Sequence, residues 1–315
     1  MDQLQQRITP RGRFAPSPSG YMHLGNAFSV LLSWLSIRSI DGEFLLRFED
    51  LDERCLRTEY RDALIEDLHW MGIDWDGEVL VQSARSEIYN ATLEEISRRA
   101  EVYPCFCTRA DLHAASAPHA SDGTPMYAGT CYGMSQVEAD EHAKTRKPSL
   151  RLHVPDTCIS FLDAHMGPYE QNLKNECGDF VIRRSDGVFA YQLACVCDDI
   201  ASGITQIVRG SDLLSSTPRQ MYLYELLGAE VPEYCHHPLL IAPDGRRLSK
   251  RNADLELRRI RSRNTSAEEL IGALARYAGL VEQAQPVKAS ELIEEFSWEM
   301  VPRHDIVVQL GEWAD

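Results

Sequence analysis

The span from Arg11 to Leu35 constrains this chain more than any other, because it strings a strand, a sharp turn and a helix together in close succession. Arg11 to Ala15 reads as a strand and Pro16-Ser17-Pro18-Ser19-Gly20 as a turn. Ala27, Phe28, Leu31, Leu32 and Leu35 then fall on one helical face. Glu43 to Phe48 reads as a second strand, Tyr60, Leu64, Leu68 and Met71 mark a second helix, and Ile88, Leu93 and Ile96 a third. Strands alternating with helices in this way predict an open parallel α/β sheet. Such a strand-turn-helix unit also points backbone N–H groups and the positive helix end at the turn, where a phosphate can bind.

The alternation breaks near Tyr103. From there to Pro148 the chain is rich in Cys, Ala, Ser, Pro, Gly and Thr, and it then turns β-like at Leu150–Val154, Ile159–Leu162 and Phe180–Arg184, with Asp186-Gly187 as a hairpin turn. Helix and strand return with Leu193–Ile200, Thr205–Arg209 and a helix from Pro218 to Leu227. The expected organisation is therefore a discontinuous α/β domain over 1–100 and 188–253, an inserted domain over 101–187, and a helical C-terminal region over 254–315 in which Leu270, Ile271, Leu274 and Tyr277 form the apolar face. No stretch approaches the roughly 18 apolar residues of a membrane span, and the N-terminus lacks the pattern of a secretory signal, so a cytoplasmic protein is expected. The 9 cysteines are an odd number in a long chain and read as thiols or metal ligands rather than a disulfide framework.

The first chemical motif is Arg13-Phe14-Ala15-Pro16-Ser17-Pro18-Ser19-Gly20-Tyr21-Met22-His23-Leu24-Gly25-Asn26. His23 can donate to a phosphate oxygen, and Gly25 lets a nucleotide approach the backbone. Alone, His23 reads first as an ordinary loop or helix-cap residue. The spacing from Gly20 to Gly25 is that of a P-loop, but Asn26 and Ala27 stand where Lys and Ser/Thr are required, which disfavours a kinase or GTPase. The string resembles the HIGH signature of class I aminoacyl-tRNA synthetases in the form shared by their glutamyl and glutaminyl members. Far downstream, Arg247-Leu248-Ser249-Lys250-Arg251 is similar to the KMSKS loop of the same enzymes, with Arg247 in place of the first Lys. The resemblance implies a Rossmann-type parallel sheet carrying an inserted zinc-containing α+β domain of the acceptor-binding kind. It implies a catalytic pair, His23 and Lys250, and an ATP site at His23, Gly25, Asn26 and Lys250, with magnesium accompanying the nucleotide. A mobile basic loop suits charge developing on departing pyrophosphate.

A glutamate site needs an arginine fork for a carboxylate and an acid or hydroxyl for the ammonium. By resemblance, Arg13, Phe14, Ala15, Pro16 and Ser17 of the first motif, Glu49 in Arg47-Phe48-Glu49-Asp50-Leu51-Asp52, Tyr191 and Arg209 are the glutamate contacts. Read singly, Glu49 and Asp50 are surface acids at a strand end, Asp50 and Asp52 a magnesium pair, Tyr191 a core residue and Arg209 half of an ion pair. Leu213 stands where glutamyl enzymes commonly carry Trp. Cys105, Cys107 and Cys131, with Tyr127, resemble the C-x-C…Y-x3-C zinc site of a truncated glutamyl-synthetase-like family, implying one structural Zn2+. Three free thiols, or a fourth ligand from His113, His119 or water, are the other readings. Cys195 and Cys197 lie in an apolar helix pattern and read as core.

The segment from Gly210 to Gln220 also resembles that truncated family, the glutamyl-queuosine tRNA(Asp) synthetases, and the 64 positions after Arg251 are too few for a large anticodon-binding region. The expected function is ATP-dependent activation of L-glutamate and its transfer to queuosine in the anticodon of tRNA(Asp), by a monomer with no membrane partner. Three alternatives stand beside it: a short discriminating glutamyl-tRNA synthetase charging the tRNA 3′ end, another class I nucleotidyltransferase, or a catalytically idle paralogue that binds tRNA or adenylate. The net charge of −16 opposes general nucleic-acid binding, although the run from Arg246 to Arg263 is basic and serves either as a solvated face or as a phosphate contact.

Overall fold

Helix α1 (Leu24–Arg38) is the element on which the rest of the chain is laid, because it is buried on every side. A helix apolar all round must be enclosed by protein. In the computed structural model, which describes residues 9–55, 57–108, 111, 126–246, 248 and 255–309, the enclosure comes from two directions. On one side lie the parallel strands β1 (Arg11–Phe14) and β2 (Glu43–Phe48), with β3 (Leu80–Val81) beyond β2. The pairing runs from Arg11↔Glu43 to Phe14↔Leu46 and continues with Arg47↔Leu80. Helices α2 (Thr58–Trp70) and α3 (Ser86–Arg99) connect onward.

The later strand β9 (Gln206–Gly210) lies against β1 and α1, tied to β1 where Thr205 N–H donates to the Arg11 carbonyl at 2.9 Å. Strand β10 (Glu233–His237) pairs with β9 in parallel, and His236 is the register partner of Arg209. Helices α5 (Tyr191–Ala201) and α6 (Thr217–Leu227) flank these strands, α5 before β9 and α6 between β9 and β10. The expected parallel arrangement is thus present, assembled from chain segments far apart in sequence.

Between the two halves, β4 (Val102–Cys105), β5 (Ser149–Leu152) and β8 (Phe180–Arg183) form an antiparallel sheet, with α4 (Gln136–Ala143) between β4 and β5. Strands β6 (Cys158–Asp163) and β7 (Gly167–Asn172) form a separate hairpin. The sequence reading missed β7, whose residues Gly167-Pro168-Tyr169-Glu170-Gln171-Asn172 carry no apolar alternation; pairing with β6 imposes the strand. Asp186-Gly187 does form a turn, with Gly187 at φ +91 and Arg184 N–H donating to the Val188 carbonyl at 2.8 Å, but its return arm is a single bridge between Arg183 and Phe189. On α3 the face is also shifted: Tyr89 is buried and Ile88, expected inside, is exposed.

Among the described residues, the C-terminal region is α-helical only in its first part, α7 (Leu257–Ser262) and α8 (Ala267–Tyr277). Beyond them the described chain is irregular apart from a 3-10 turn at Ala289–Leu292 and the strand β12 (Ile306–Val307), which pairs in parallel with β11 (Leu240–Ile241). This region supplies the second side of the enclosure: Leu270, Ile271 and Leu274 join Phe28, Leu31 and Leu35 in one core, and Trp298 Nε1 donates to Ser36 Oγ of α1 at 3.0 Å. Among the described residues no helix is long and apolar enough to cross a membrane.

Helix α8 carries a test of this packing. A Cβ on Gly272 would stand 1.9 Å from the Gln285 carbonyl oxygen, and that segment is held against the helix by Val287 N–H donating to the Glu268 carbonyl at 3.1 Å. Alanine is a better helix former than glycine by about 1 kcal/mol. Backbone displacement outweighs that gain, so Gly272→Ala is expected to lose roughly 1–3 kcal/mol in urea unfolding. A variant as stable as the parent would remove the close approach.

Candidate active site

One cleft of about 730 Å³ opens where β1, β2 and β9 end and α1 begins. It is lined by Arg13, Phe14, Ala15, Pro16 and Ser17, by His23, Gly25 and Asn26, and by Glu49, Tyr191 and Arg209. Every residue expected at a glutamate or ATP site therefore meets there, except Lys250, which with Arg247 lies outside the described residues. Leu213, His237 and Leu248 add to the wall.

The α1 end of the cleft is built by a capping box. His23 is the N-cap; its Nδ1 accepts from Gly25 N–H at 3.1 Å, and Asn26 Oδ1 accepts from His23 N–H at 3.3 Å. Both readings of His23 are thus compatible. With Nδ1 an acceptor, a neutral ring carries its proton on Nε2, the donor that a phosphate oxygen requires. Gly25 has a structural reason of its own, since a Cβ there would press on the His23 ring at 3.1 Å.

A buried charge network forms the floor. Arg13 Nε lies 3.2 Å from Asp199 Oδ1, Arg47 pairs with the same oxygen through Nη1, and Arg47 Nη2 lies 3.2 Å from Glu49 Oε1. Burial alone would raise the Asp199 carboxyl, but the two guanidiniums outweigh it and hold the group below the usual range. Glu49 moves the other way: its burial raises it despite Arg47 and Arg13, so its carboxylate would gain from a further cation in the cleft. Cys195, read from sequence as core, is buried but sits inside this network, with its sulfur 3.3 Å from Arg47 Nη2 and 3.9 Å from Arg13 Nη2. Burial pushes its thiol up to about 12, so it contributes as a neutral group.

Arg209 is bound differently. Its Nε donates to His236 Nε2 at 3.0 Å, Nη1 to Gln220 Oε1 at 2.7 Å and Tyr191 Oη at 3.4 Å, and Nη2 to Thr217 Oγ1 at 2.8 Å and the Leu213 carbonyl at 3.3 Å. None of these partners is a carboxylate. The guanidinium is nonetheless buried, with the Tyr234 ring 5.1 Å away. The two longest contacts, one on each terminal nitrogen, go to the cleft-lining residues Tyr191 and Leu213. An entering carboxylate that took their places would meet both arms of the fork.

Asp50 and Asp52 do not act as a pair. Asp50 accepts from Ser83 N–H and Oγ at 2.8 and 2.7 Å, whereas Asp52 is bound by Arg54 at 2.9 Å and Arg184 at 3.5 Å. Sequence reasoning also missed Arg47, Asp199, His236, Thr217 and Gln220 as builders of the site. A signal existed for two of them. Arg47 stands two residues before Glu49 at the end of β2, and Asp199, with Asp198, interrupts the apolar pattern of α5.

Away from the cleft, Cys105, Cys107 and Cys131 bring their sulfurs within 4.8 Å of one another and could hold a metal ion. Cys105 ends β4, and Cys131 sits in the turn between Gly129 and Gly133. The Cys107 and Cys131 sulfurs are 3.6 Å apart, against about 3.8 Å for two thiolates on a tetrahedral zinc. Tyr127 Oη is 3.5 Å from the Cys105 sulfur and 3.8 Å from that of Cys107, and it accepts from Cys131 N–H at 2.7 Å, so its oxygen lies beside the cluster. The other candidate ligands, His113 and His119, lie outside the described residues.

The chain matches the model of the family described as tRNA synthetases class I (E and Q), catalytic domain, over residues 10–309. It belongs to that family. Among its relatives of this class, the glutamyl-Q tRNA(Asp) synthetase of Nitratidesulfovibrio vulgaris is 44% identical over 307 residues, 94% of this chain and 95% of the relative. The glutamyl-Q tRNA(Asp) synthetase of Symbiobacterium thermophilum is 45% identical, with 94% of each covered. Of solved class I structures, the glutamate tRNA ligase of Elizabethkingia meningosepticum in complex with its amino acid superimposes with a TM-score of 0.81 at 26% identity, over 97% of this chain and 68% of that one.

Proposed function

We propose that this class I synthetase activates L-glutamate with ATP and transfers it to queuosine in the anticodon of tRNA(Asp). The observation that carries the glutamate reading is Arg209, a buried guanidinium at the cleft wall whose hydrogen-bond partners are all uncharged. A carboxylate supplies the missing charge, and Glu49, just past the end of β2, receives the α-ammonium. The glutamate α-carboxylate attacks the α-phosphorus of ATP, the bond to pyrophosphate breaks, and glutamyl-adenylate forms. A hydroxyl of the acceptor then attacks the acyl carbon and AMP leaves. No side-chain nucleophile is needed. His23, Gly25 and Asn26 at the start of α1 hold the nucleotide, and Lys250 neutralises charge on the departing pyrophosphate. The acceptor reading rests on the relatives named glutamyl-Q tRNA(Asp) synthetase, matched over nearly their whole length.

Cys105, Cys107, Cys131 and Tyr127 hold one structural zinc in this reading, with no part in the chemistry; the ion ties the end of β4 to the turn at Cys131. Protein purified without added metal should carry about one equivalent of zinc by elemental analysis, lost in the Cys105→Ser, Cys107→Ser double variant. A zinc-free protein would leave three thiols.

Loss of the Arg209 fork strands a carboxylate at a cost of roughly 2–5 kcal/mol. Arg209→Ala should therefore lower glutamate-dependent ATP–pyrophosphate exchange about 30-fold or more, with ATP affinity little changed. Parental exchange in a folded variant would exclude Arg209 from the glutamate site. The acceptor is decided separately. Queuosine-bearing tRNA(Asp) stripped of its 3′ adenosine should still be labelled with glutamate, and the same tRNA lacking queuosine should not. Labelling of tRNA(Glu) that vanishes with its 3′ adenosine would establish 3′-end charging instead.

A further inference from the structure

We infer that His236 is a positioning residue for Arg209, and that Asp163, reaching in from the β6–β7 hairpin, sets the imidazole tautomer on which that role depends. The inference rests on the glutamate reading of Arg209 and adds to it the device that aims the fork.

The chemistry of the contact leaves one tautomer. An arginine Nε–H can only donate, and it does so to His236 Nε2 at 3.0 Å. Nε2 must therefore present its lone pair, which puts the ring proton on Nδ1. There it is donated to Asp163 Oδ2 at 2.6 Å. The other carboxylate oxygen, Oδ1, accepts from the N–H groups of His165 at 3.0 Å, Met166 at 2.8 Å and His236 at 3.1 Å. Both carboxylate oxygens are thus committed, and the group cannot rotate without losing a backbone bond. His236 has no exposed surface and Asp163 almost none, so water does not substitute for either. Burial, and the neighbouring Arg209, disfavour a second ring proton, while Asp163 is held below the usual carboxylate range despite its own burial.

The same pairing organises the back of the fork. Thr217 Oγ1 stands 3.4 Å from His236 Nε2 and takes an Arg209 Nη2 proton at 2.8 Å, and Gln220 takes an Nη1 proton at 2.7 Å. These three short contacts lie behind the guanidinium, leaving the two long ones towards Tyr191 and Leu213 for exchange with a ligand. Of His236, Thr217 and Gln220, the imidazole is the one whose acceptor atom becomes a donor by the shift of a proton alone, and Asp163 prevents that.

Asp163→Asn tests the idea with almost no change in shape. The asparagine oxygen must still receive the three backbone N–H groups, so its amide N–H faces His236 Nδ1 and forces the proton onto Nε2, opposite the Arg209 Nε–H. The KM for glutamate in ATP–pyrophosphate exchange should rise roughly 10- to 100-fold, the loss of one charge-assisted hydrogen bond, while the KM for ATP stays within about twofold. His236→Leu should show the same split. His236→Gln, whose amide oxygen accepts in either state, should recover most of that loss, and adding Asp163→Asn to it should cost little more. Unchanged glutamate KM in Asp163→Asn, or equal losses for glutamate and ATP, would overturn the inference, as would an equal Asp163→Asn penalty in the His236→Gln background. Imidazole nitrogen NMR shifts of His236 provide a readout free of any substrate: protonated Nδ1 in the parent, protonated Nε2 in Asp163→Asn. If the parent chain shows no glutamate-dependent exchange, the glutamate reading fails. The shifts then still decide the Asp163–His236 link, and an unshifted proton overturns it.

Discussion

A helix with no face for water sets the terms for the whole molecule. Because α1 is apolar all round, it needs a sheet on one side and a cover on the other, and both must be in place together. Its serines show how fully it is enclosed: Ser36 is bonded to Gln206 beyond one face and to Trp298 beyond another. The N-terminus of such a helix has nowhere to go but the edge of the sheet. There His23 closes the first turn, and the first backbone N–H groups of the helix lie at the cleft. The position of the nucleotide end of the site is a consequence of how α1 is packed.

The cleft handles charge in two ways. On its floor two arginines and two acids neutralise one another, so Arg13, Arg47, Asp199 and Glu49 keep their places without a ligand. At its wall Arg209 is hydrogen-bonded to uncharged groups alone, which stabilise a buried guanidinium less than a carboxylate does. A preorganised floor and a wall guanidinium without a hydrogen-bonded carboxylate make a site suited to an anionic group.

Much of this was legible in the residues. The bounds of β2 and the course of β1 into α1 follow from local patterning, and the motif around His23, with Glu49, Tyr191 and Arg209, identified the cleft-lining groups. What remained hidden depends on contacts between distant segments. Asp199 meets Arg13 across 186 positions, and Asp163 meets His236 across 73. No local periodicity records such pairings. Strand β7 was invisible for a related reason, since a polar segment becomes a strand only when β6 is beside it. The C-terminal region followed the helical pattern through α8, but beyond it the chain returns to pair with β11, which amphipathicity does not report.

The enclosure of α1 also has a history in time. Its sheet side needs Thr205 against Arg11, 194 positions later, and its cover needs Trp298 against Ser36, 262 positions later. While the chain emerges from the ribosome, the first hundred residues hold α1 with β1 and β2 beside it, but its later partners, β9 and the C-terminal cover, are not yet made. Parallel pairings of this range close slowly, because loop entropy must be overcome before any contact stabilises the pair. The enclosure of α1 is therefore complete only once the segment carrying Trp298 has been made.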